Sequence, residues 1–208
     1  MVRRVLMIAA LAAGLGLAAS GSRAAPDPGA FIGNLGQEGI QMMGPSVPPA
    51  QRAERFRQLF EADFAVGDLA RFSIGRYWQA FSPAQQQDFM RLFQDYTVQA
   101  YADKLGQYGG SQFRVLGTQP YGDEIVVSTE VIRPNGPPVH IDWHVVGEDG
   151  QYKITDVDVD RVSMKVTQRD EFARIIQNNG GQPSALLAVL RQELRQDRAT
   201  AAGQTPTR

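Results

Sequence analysis

Apolar residues recur at three-and-four spacing between Ser82 and Leu105, with Phe89, Leu92, Phe93, Tyr96, Ala100 and Tyr101 on one stripe. Ser82 suits an N-cap, Pro83 the first helical position, and Gln85 completes a capping-box pattern. The pattern predicts one helix of about 35 Å, ended by Gly106 and the Gly109-Gly110 pair. Its stripe is rich in aromatics and needs a broad surface to lie on, which the strands downstream are expected to supply. Upstream, Gln51–Asp63 carries Ala53, Phe56, Leu59, Phe60 and Phe64 on one face, and Asp68–Tyr77 reads as a short helix capped by Asp68. Pro26–Met43 has a looser helical stripe interrupted by Gly33, Gly36 and Gly39, a loose helix or flap.

Beyond residue 112 the period changes to two. Phe113 and Val115 open a strand; Ile125, Val127, Thr129 and Val131 alternate with Val126, Ser128, Glu130 and Ile132. Val139, Ile141, Trp143 and Val145 alternate with His140, Asp142, His144 and Val146, and Tyr152, Ile154 and Val157 carry the last long strand. Pro134-Asn135-Gly136-Pro137 and Asp149-Gly150 mark turns. Two further helical stretches follow, about 167–178 and 183–196. Helices, then a meander, then helices predict an α+β fold: a curved four-stranded antiparallel sheet with helices packed on one face.

The N-terminus follows a different rule. Arg3 and Arg4 precede an apolar run from Val5 to Ala19, and Ser22 and Ala24 are small residues at the right spacing for cleavage. This is the pattern of a secretory signal peptide, so residues 1–24 are expected to be removed after Ala24 and the remainder to be exported. No other run is long and apolar enough to span a bilayer. Residues 25–198 then form one domain, and 199–208 a polar disordered tail. Removing Arg3, Arg4 and Arg23 from the 21 basic residues leaves 18 against 22 acidic ones, a formal charge of −4. That balance lacks the basic footprint of a nucleic-acid partner and argues against bulk adsorption to an anionic membrane. Cysteine is absent, so disulfides, thiol nucleophiles and lipoprotein anchoring are excluded.

Candidate chemistry is sparse. His140 and His144 are the only histidines; on a strand they stand roughly 13 Å apart, too far to share a metal. Asp156, Asp158 and Asp160 alternate like a calcium loop, but Arg161 and Thr167 occupy the positions that need glycine and glutamate. They read instead as outward-facing acids at a strand end. Ser163 and Lys165 lack a nucleophile elbow and the serine–x–x–lysine spacing. No glycine-rich phosphate loop is present. Three readings remain: a binding protein without catalysis, metal or cofactor; an isomerase-like enzyme using Asp142 or Asp156 as base; and an envelope interaction protein with a filled core.

One ordered set of short motifs is more specific. Arg71-Phe72-Ser73-Ile74-Gly75-Arg76-Tyr77-Trp78, the Ser82–Phe89 segment, Phe93-Gln94-Asp95-Tyr96, Tyr101 and Tyr108, Ile154-Thr155-Asp156-Val157, Val162-Ser163, Arg169-Asp170-Glu171-Phe172 and Gly180 occur in sequence. Together they resemble the MlaC / toluene-tolerance family of periplasmic lipid-binding proteins, and are also similar to its hopanoid-associated branch, HpnM. Asp160-Arg161 and Thr167-Gln168 depart from the family's usual residues. The resemblance implies an NTF2-like cone whose curved sheet and helices enclose a lipid cavity. It also implies carriage of phospholipid between outer and inner membranes. The implied partners are an outer-membrane lipoprotein complex and an inner-membrane ABC transporter with an MCE-domain ring.

Such a role has a simple energetic basis. About 30 methylenes at about 0.8 kcal/mol each put the cost of exposing two tails to water near 25 kcal/mol, so a carrier must shield them. Val127, Val131, Ile141, Trp143 and Val145 of the sheet and Trp78, Phe89 and Phe93 of the helices are the expected cavity lining. Val162, Met164 and Val166 are expected at the rim, with Ser163, Lys165 or Arg169 meeting a headgroup phosphate.

Overall fold

At the head of the longest helix the capping residues meet reciprocally. The Ser82 backbone N–H donates to Gln85 Oε1 at 2.9 Å and the Gln85 N–H to Ser82 Oγ at 3.3 Å, satisfying two donors that the helix itself cannot. The computed structural model describes residues 27–42, 44, 46–105 and 109–203. The expected signal peptide and the helix stop at Gly106 lie outside them.

The helices are α1 (Pro28–Met42), α2 (Pro49–Asp63), α3 (Val66–Ile74), a 3-10 segment (Gly75–Ala80) and α4 (Pro83–Leu105). Strands β1 (Gln112–Tyr121), β2 (Glu124–Ile132), β3 (Val139–Glu148), β4 (Gln151–Val159) and β5 (Val162–Ser163) follow, then α5 (Met164–Asn178) and α6 (Pro183–Gly203). The fold is α+β, and each strand pairs antiparallel with the next in the order β1-β2-β3-β4-β5. Register shifts at Leu116 of β1 and Thr155 of β4 insert one extra residue each, which bends and twists the sheet.

Several boundaries differ from the sequence pattern. The sheet has five strands, because Asp160 and Arg161 adopt positive φ (49° and 69°) and turn the chain back onto β4 for two residues. Asp160 is held in that turn: its N–H donates to the His140 carbonyl at 2.9 Å and its Oδ1 accepts from the His140 N–H at 3.2 Å. Helix α5 starts at Met164 rather than near Thr167, because Ser163 Oγ accepts the Val166 N–H at 3.1 Å and caps it. Ala65 takes the N-cap of α3, and Asp68 sits in its first turn, where a carboxylate still favours the helix dipole. Helix α6 continues through residues 199–203, assigned by the pattern to a polar tail.

The apolar residues form two cores. One joins the helices: Phe89 of α4 meets Phe172 of α5 edge-on with ring centroids 6.0 Å apart, Phe93 meets Phe60 of α2 at 6.4 Å, and Leu186, Leu187 and Leu190 of α6 close it. The aromatic stripe of α4 therefore lies largely on other helices, not on the sheet. The second core is smaller. Ile32 and Leu35 of α1 cover Val127, Val145 and Ile154 of the sheet. Leu59 and Phe64 touch both cores, and between the two the interior is unfilled.

Candidate binding cavity

The unfilled region is a cavity of about 600 Å³, within the range of small-molecule and lipid sites. Leu35 and Ile40 of α1, Phe56, Leu59 and Phe60 of α2 and Phe64 form its apolar end with Phe113 of β1. The sheet adds Val131, Ile141, Trp143, Val157 and Val159. Register explains why these share a wall: Trp143 pairs with Val127 and Val157, and Ile141 with Thr129 and Val159, so all project from the inner face. Trp143 is fixed in place, its indole N–H donating to Thr129 Oγ1 at 2.9 Å while that hydroxyl donates to the Ile141 carbonyl at 3.0 Å.

One face of α4 runs along the cavity and changes character as it goes. Phe93, Thr97, Tyr101 and Lys104 line it in turn, at the spacing that keeps residues on one side of a helix. Phe93 is 4% exposed, whereas Lys104 is exposed and rests over the Tyr101 ring at 5.3 Å. From α5, Met164, Lys165, Thr167, Gln168 and Glu171 line the same end. Exposed Lys104 and Thr167 thus mark a polar mouth to an apolar interior. Burial raises the pKa of the Tyr96 and Tyr101 phenols, and the Glu171 carboxylate raises both further. Both phenols therefore remain neutral donors at physiological pH.

The structure brings only part of the sequence-derived set together here. Phe93, Val131, Ile141, Trp143, Met164 and Lys165 line the cavity. Val127 and Val145 face the same side of the sheet but are fully buried under Ile32 and Leu35. Phe89 and Trp78 stand 6.4 Å apart, away from the cavity, Phe89 in the helical core and Trp78 packed against it. Val162 is 53% exposed, and Val166 supplies the N–H that Ser163 caps. Arg169 lies on another face of α5, paired with Asp170 and stacked over Phe72. Several lining residues were not expected from sequence: Leu35, Ile40, Thr97, Tyr101, Lys104 and Glu171. Four-residue spacing from Phe93 was the available signal for Thr97 and Tyr101.

The acids expected to face outward behave differently from one another. Asp142 takes a hydrogen bond from Ser128 Oγ at 2.5 Å and meets His140 Nε2 at 3.1 Å, on the sheet's outer face away from the cavity. Asp156, by contrast, is only 4% exposed and borders the cavity. Its carboxylate accepts from Ser163 Oγ at 2.5 Å, the Lys165 N–H at 3.0 Å and the Val157 N–H at 2.8 Å, with Lys165 Nζ at 3.9 Å. It is buried because it ties the β5–α5 junction to β4. Neither carboxylate is placed as a free base facing the interior. His144 sits on the outer face between Glu124 (2.9 Å) and Asp158 (3.7 Å). Burial works against the charged form of Glu124, yet hydrogen bonds from Thr155 and His144 hold its carboxyl below the usual range. Among the described residues, no group of three His, Cys, Asp or Glu side chains is arranged to hold a metal, and no helix is long and apolar enough to cross a membrane.

The fold is similar to that of a phospholipid-binding protein from Ralstonia solanacearum, solved in complex with a phospholipid. The two align with a TM-score of 0.69 and 21% sequence identity over 83% of this chain and 99% of that one. A family model described as MlaC protein matches residues 43–192, and the chain belongs to that family.

Proposed function

We propose that the protein is a soluble, non-catalytic carrier that holds a phospholipid, or a hopanoid-type lipid, by its acyl or ring portion and moves it across the periplasm. The observation that carries this reading is the cavity of about 600 Å³, apolar within and polar at its mouth. An amphiphile would enter tails first: Phe56, Phe60 and Trp143 suit hydrocarbon, while Lys104, Lys165 and Thr167 suit a headgroup at the surface. Lys165, already engaged with Asp156, and exposed Lys104 are the cations placed to meet a phosphate. The phospholipid bound by the Ralstonia protein of the same fold supports that ligand class. Export by residues 1–24 would place the carrier in the periplasm. Its donors and acceptors would be the outer-membrane lipoprotein complex and the inner-membrane ABC transporter with its MCE-domain ring.

Mass spectrometry of organic extracts from protein purified out of cells tests the proposal. Phospholipid or hopanoid at near one molecule per chain is the expected result. Protein that is always empty, and that takes up no lipid from vesicles, overturns it.

A further inference from the structure

A second depression, of about 720 Å³, lies between the end of α3, the following 3-10 segment and the face of α5 turned away from the cavity. Three arginines line it, Arg76, Arg169 and Arg174, against a single carboxylate, Asp170. Arg71 and Lys165 flank it. Each of these cations except Arg174 rests on an aromatic ring: Arg71 over Trp78 at 5.6 Å, Arg76 over Tyr77 at 5.5 Å, and both Arg169 and Lys165 over Phe72 at 5.4 Å. Stacking fixes the plane of a guanidinium and leaves its N–H edge able to meet oxyanions. Arg169 already turns that edge to Asp170 through Nε and Nη2, so Arg76 and Arg174 are the lining arginines left to meet an external anion. Phe72 itself is 37% exposed.

We propose that this groove docks the protein on an anionic lipid surface. Charge complementarity selects an anionic partner, since the lining carries a net charge of +2 before Arg71 and Lys165 are counted. The exposed phenylalanine among the arginines selects a lipid surface over an acidic polypeptide. A bilayer interface takes cations at its phosphates and an apolar ring just below them. The overall charge of −4 does not prevent this, because fields from distant surface charges fade over about 10 Å at 0.1 M salt. Glu124, Asp142 and Asp158 stand elsewhere, on the outer face of the sheet. A side chain of the groove's wall also meets a side chain of the cavity's wall. Lys165 lines the cavity, Arg169 lines the groove, and the two share the Phe72 ring. The proposal extends the carrier reading by assigning the surface on which lipid would be exchanged.

Co-sedimentation with vesicles tests it, using phosphatidylcholine alone and phosphatidylcholine with about 30 mol % phosphatidylglycerol. The full mature chain should bind the anionic vesicles at least about tenfold more tightly, and lose that binding at about 0.5 M salt. Arg76→Glu combined with Arg174→Glu should abolish the preference while cavity lipid content, read by mass spectrometry, stays at the wild-type level. Arg76→Gln with Arg174→Gln provides a milder pair that should weaken binding in the same direction. Equal binding to both vesicle types, no binding to either, or retention of a polyglutamate peptide with anionic vesicles ignored overturns the proposal. Vesicle binding by a protein that never contains lipid overturns the carrier reading and leaves docking intact.

Discussion

Gly36 of α1 lies so close to Phe113 of β1 that a β-carbon on it would come within 2.4 Å of the ring. The helix can lie flush on the first strand only because that position has no side chain. Both residues also line the cavity, so this contact sets how tightly α1 closes one wall. Gly36→Ala should lift the helix off Phe113 and destabilise the fold by about 1–3 kcal/mol, the cost of overpacking, despite alanine's better helix propensity. Urea denaturation measures the loss. Faster transfer of bound fluorescent lipid to acceptor vesicles should accompany it, and an unchanged transfer rate would show that α1 does not limit release.

The Trp143–Thr129–Ile141 hydrogen-bond chain predicts a second effect. Thr129 is fully buried, and Thr129→Val keeps its shape while leaving the indole N–H of Trp143 without its acceptor. A loss of about 1–3 kcal/mol is expected, with a shift in tryptophan emission as the ring reorients. Thr129→Ser should retain most of the stability.

Filling the cavity should separate stability from binding. Ile141→Trp adds a large side chain where the interior is vacant, so the usual penalty for excess volume does not apply. The thermal midpoint should hold or rise while co-purified lipid falls severalfold by mass spectrometry. A variant that retains its full lipid content would place the cargo elsewhere.

Asp156 is the anchor of the β5–α5 junction. Asp156→Ala leaves the Lys165 and Val157 N–H groups and the Ser163 hydroxyl without their acceptor, for an expected loss of about 2–4 kcal/mol. Ser163→Ala should cost about 1 kcal/mol, the usual value of a helix cap. Denaturant titration of both variants checks the ranking.

Glu193 gives a pH-dependent prediction. Burial first, then the negative charges of Glu171 and Asp197, raise its carboxyl above the ordinary 4.5. The folded chain thus holds this proton more tightly than the unfolded one. Stability attributable to this group falls as pH rises from 4.5 through the raised native value, and the penalty is complete above it. Glu193→Gln should therefore stabilise at pH 7, by less than about 1 kcal/mol given solvent screening, and have no effect below the unfolded value. Denaturation midpoints across that range decide it.

What could be read from the sequence was local. The Ser82–Gln85 box, the helical stripes and the alternation of β2 and β3 depend on neighbours a few residues away, and they appear in the structure. The cavity does not have that character. Val127, Val131, Ile141, Trp143 and Val145 all point to the inner face, as period two requires. Whether each meets a void depends on what lies above it: Ile32 and Leu35 seal Val127 and Val145, and the rest are left open. Likewise Gln168 and Arg169 are adjacent in sequence, yet about 100° of helical rotation sends one into the cavity and the other into the arginine-lined groove. Two-residue β5 carried no periodic signal at all. Net charge was equally blind to clustering, since Arg71, Arg76, Arg169 and Arg174 come from two separate helical regions.

Because, among the described residues, Leu59 and Phe64 alone are shared by the two cores, an apolar guest would act as mortar between sheet and helices. Mass action then makes the vacant molecule the weakest member of its own population, since any occupant bound only by the native state raises the unfolding free energy with its concentration. Proteases and heat would remove idle copies first, and the number of surviving molecules would track the supply of freight.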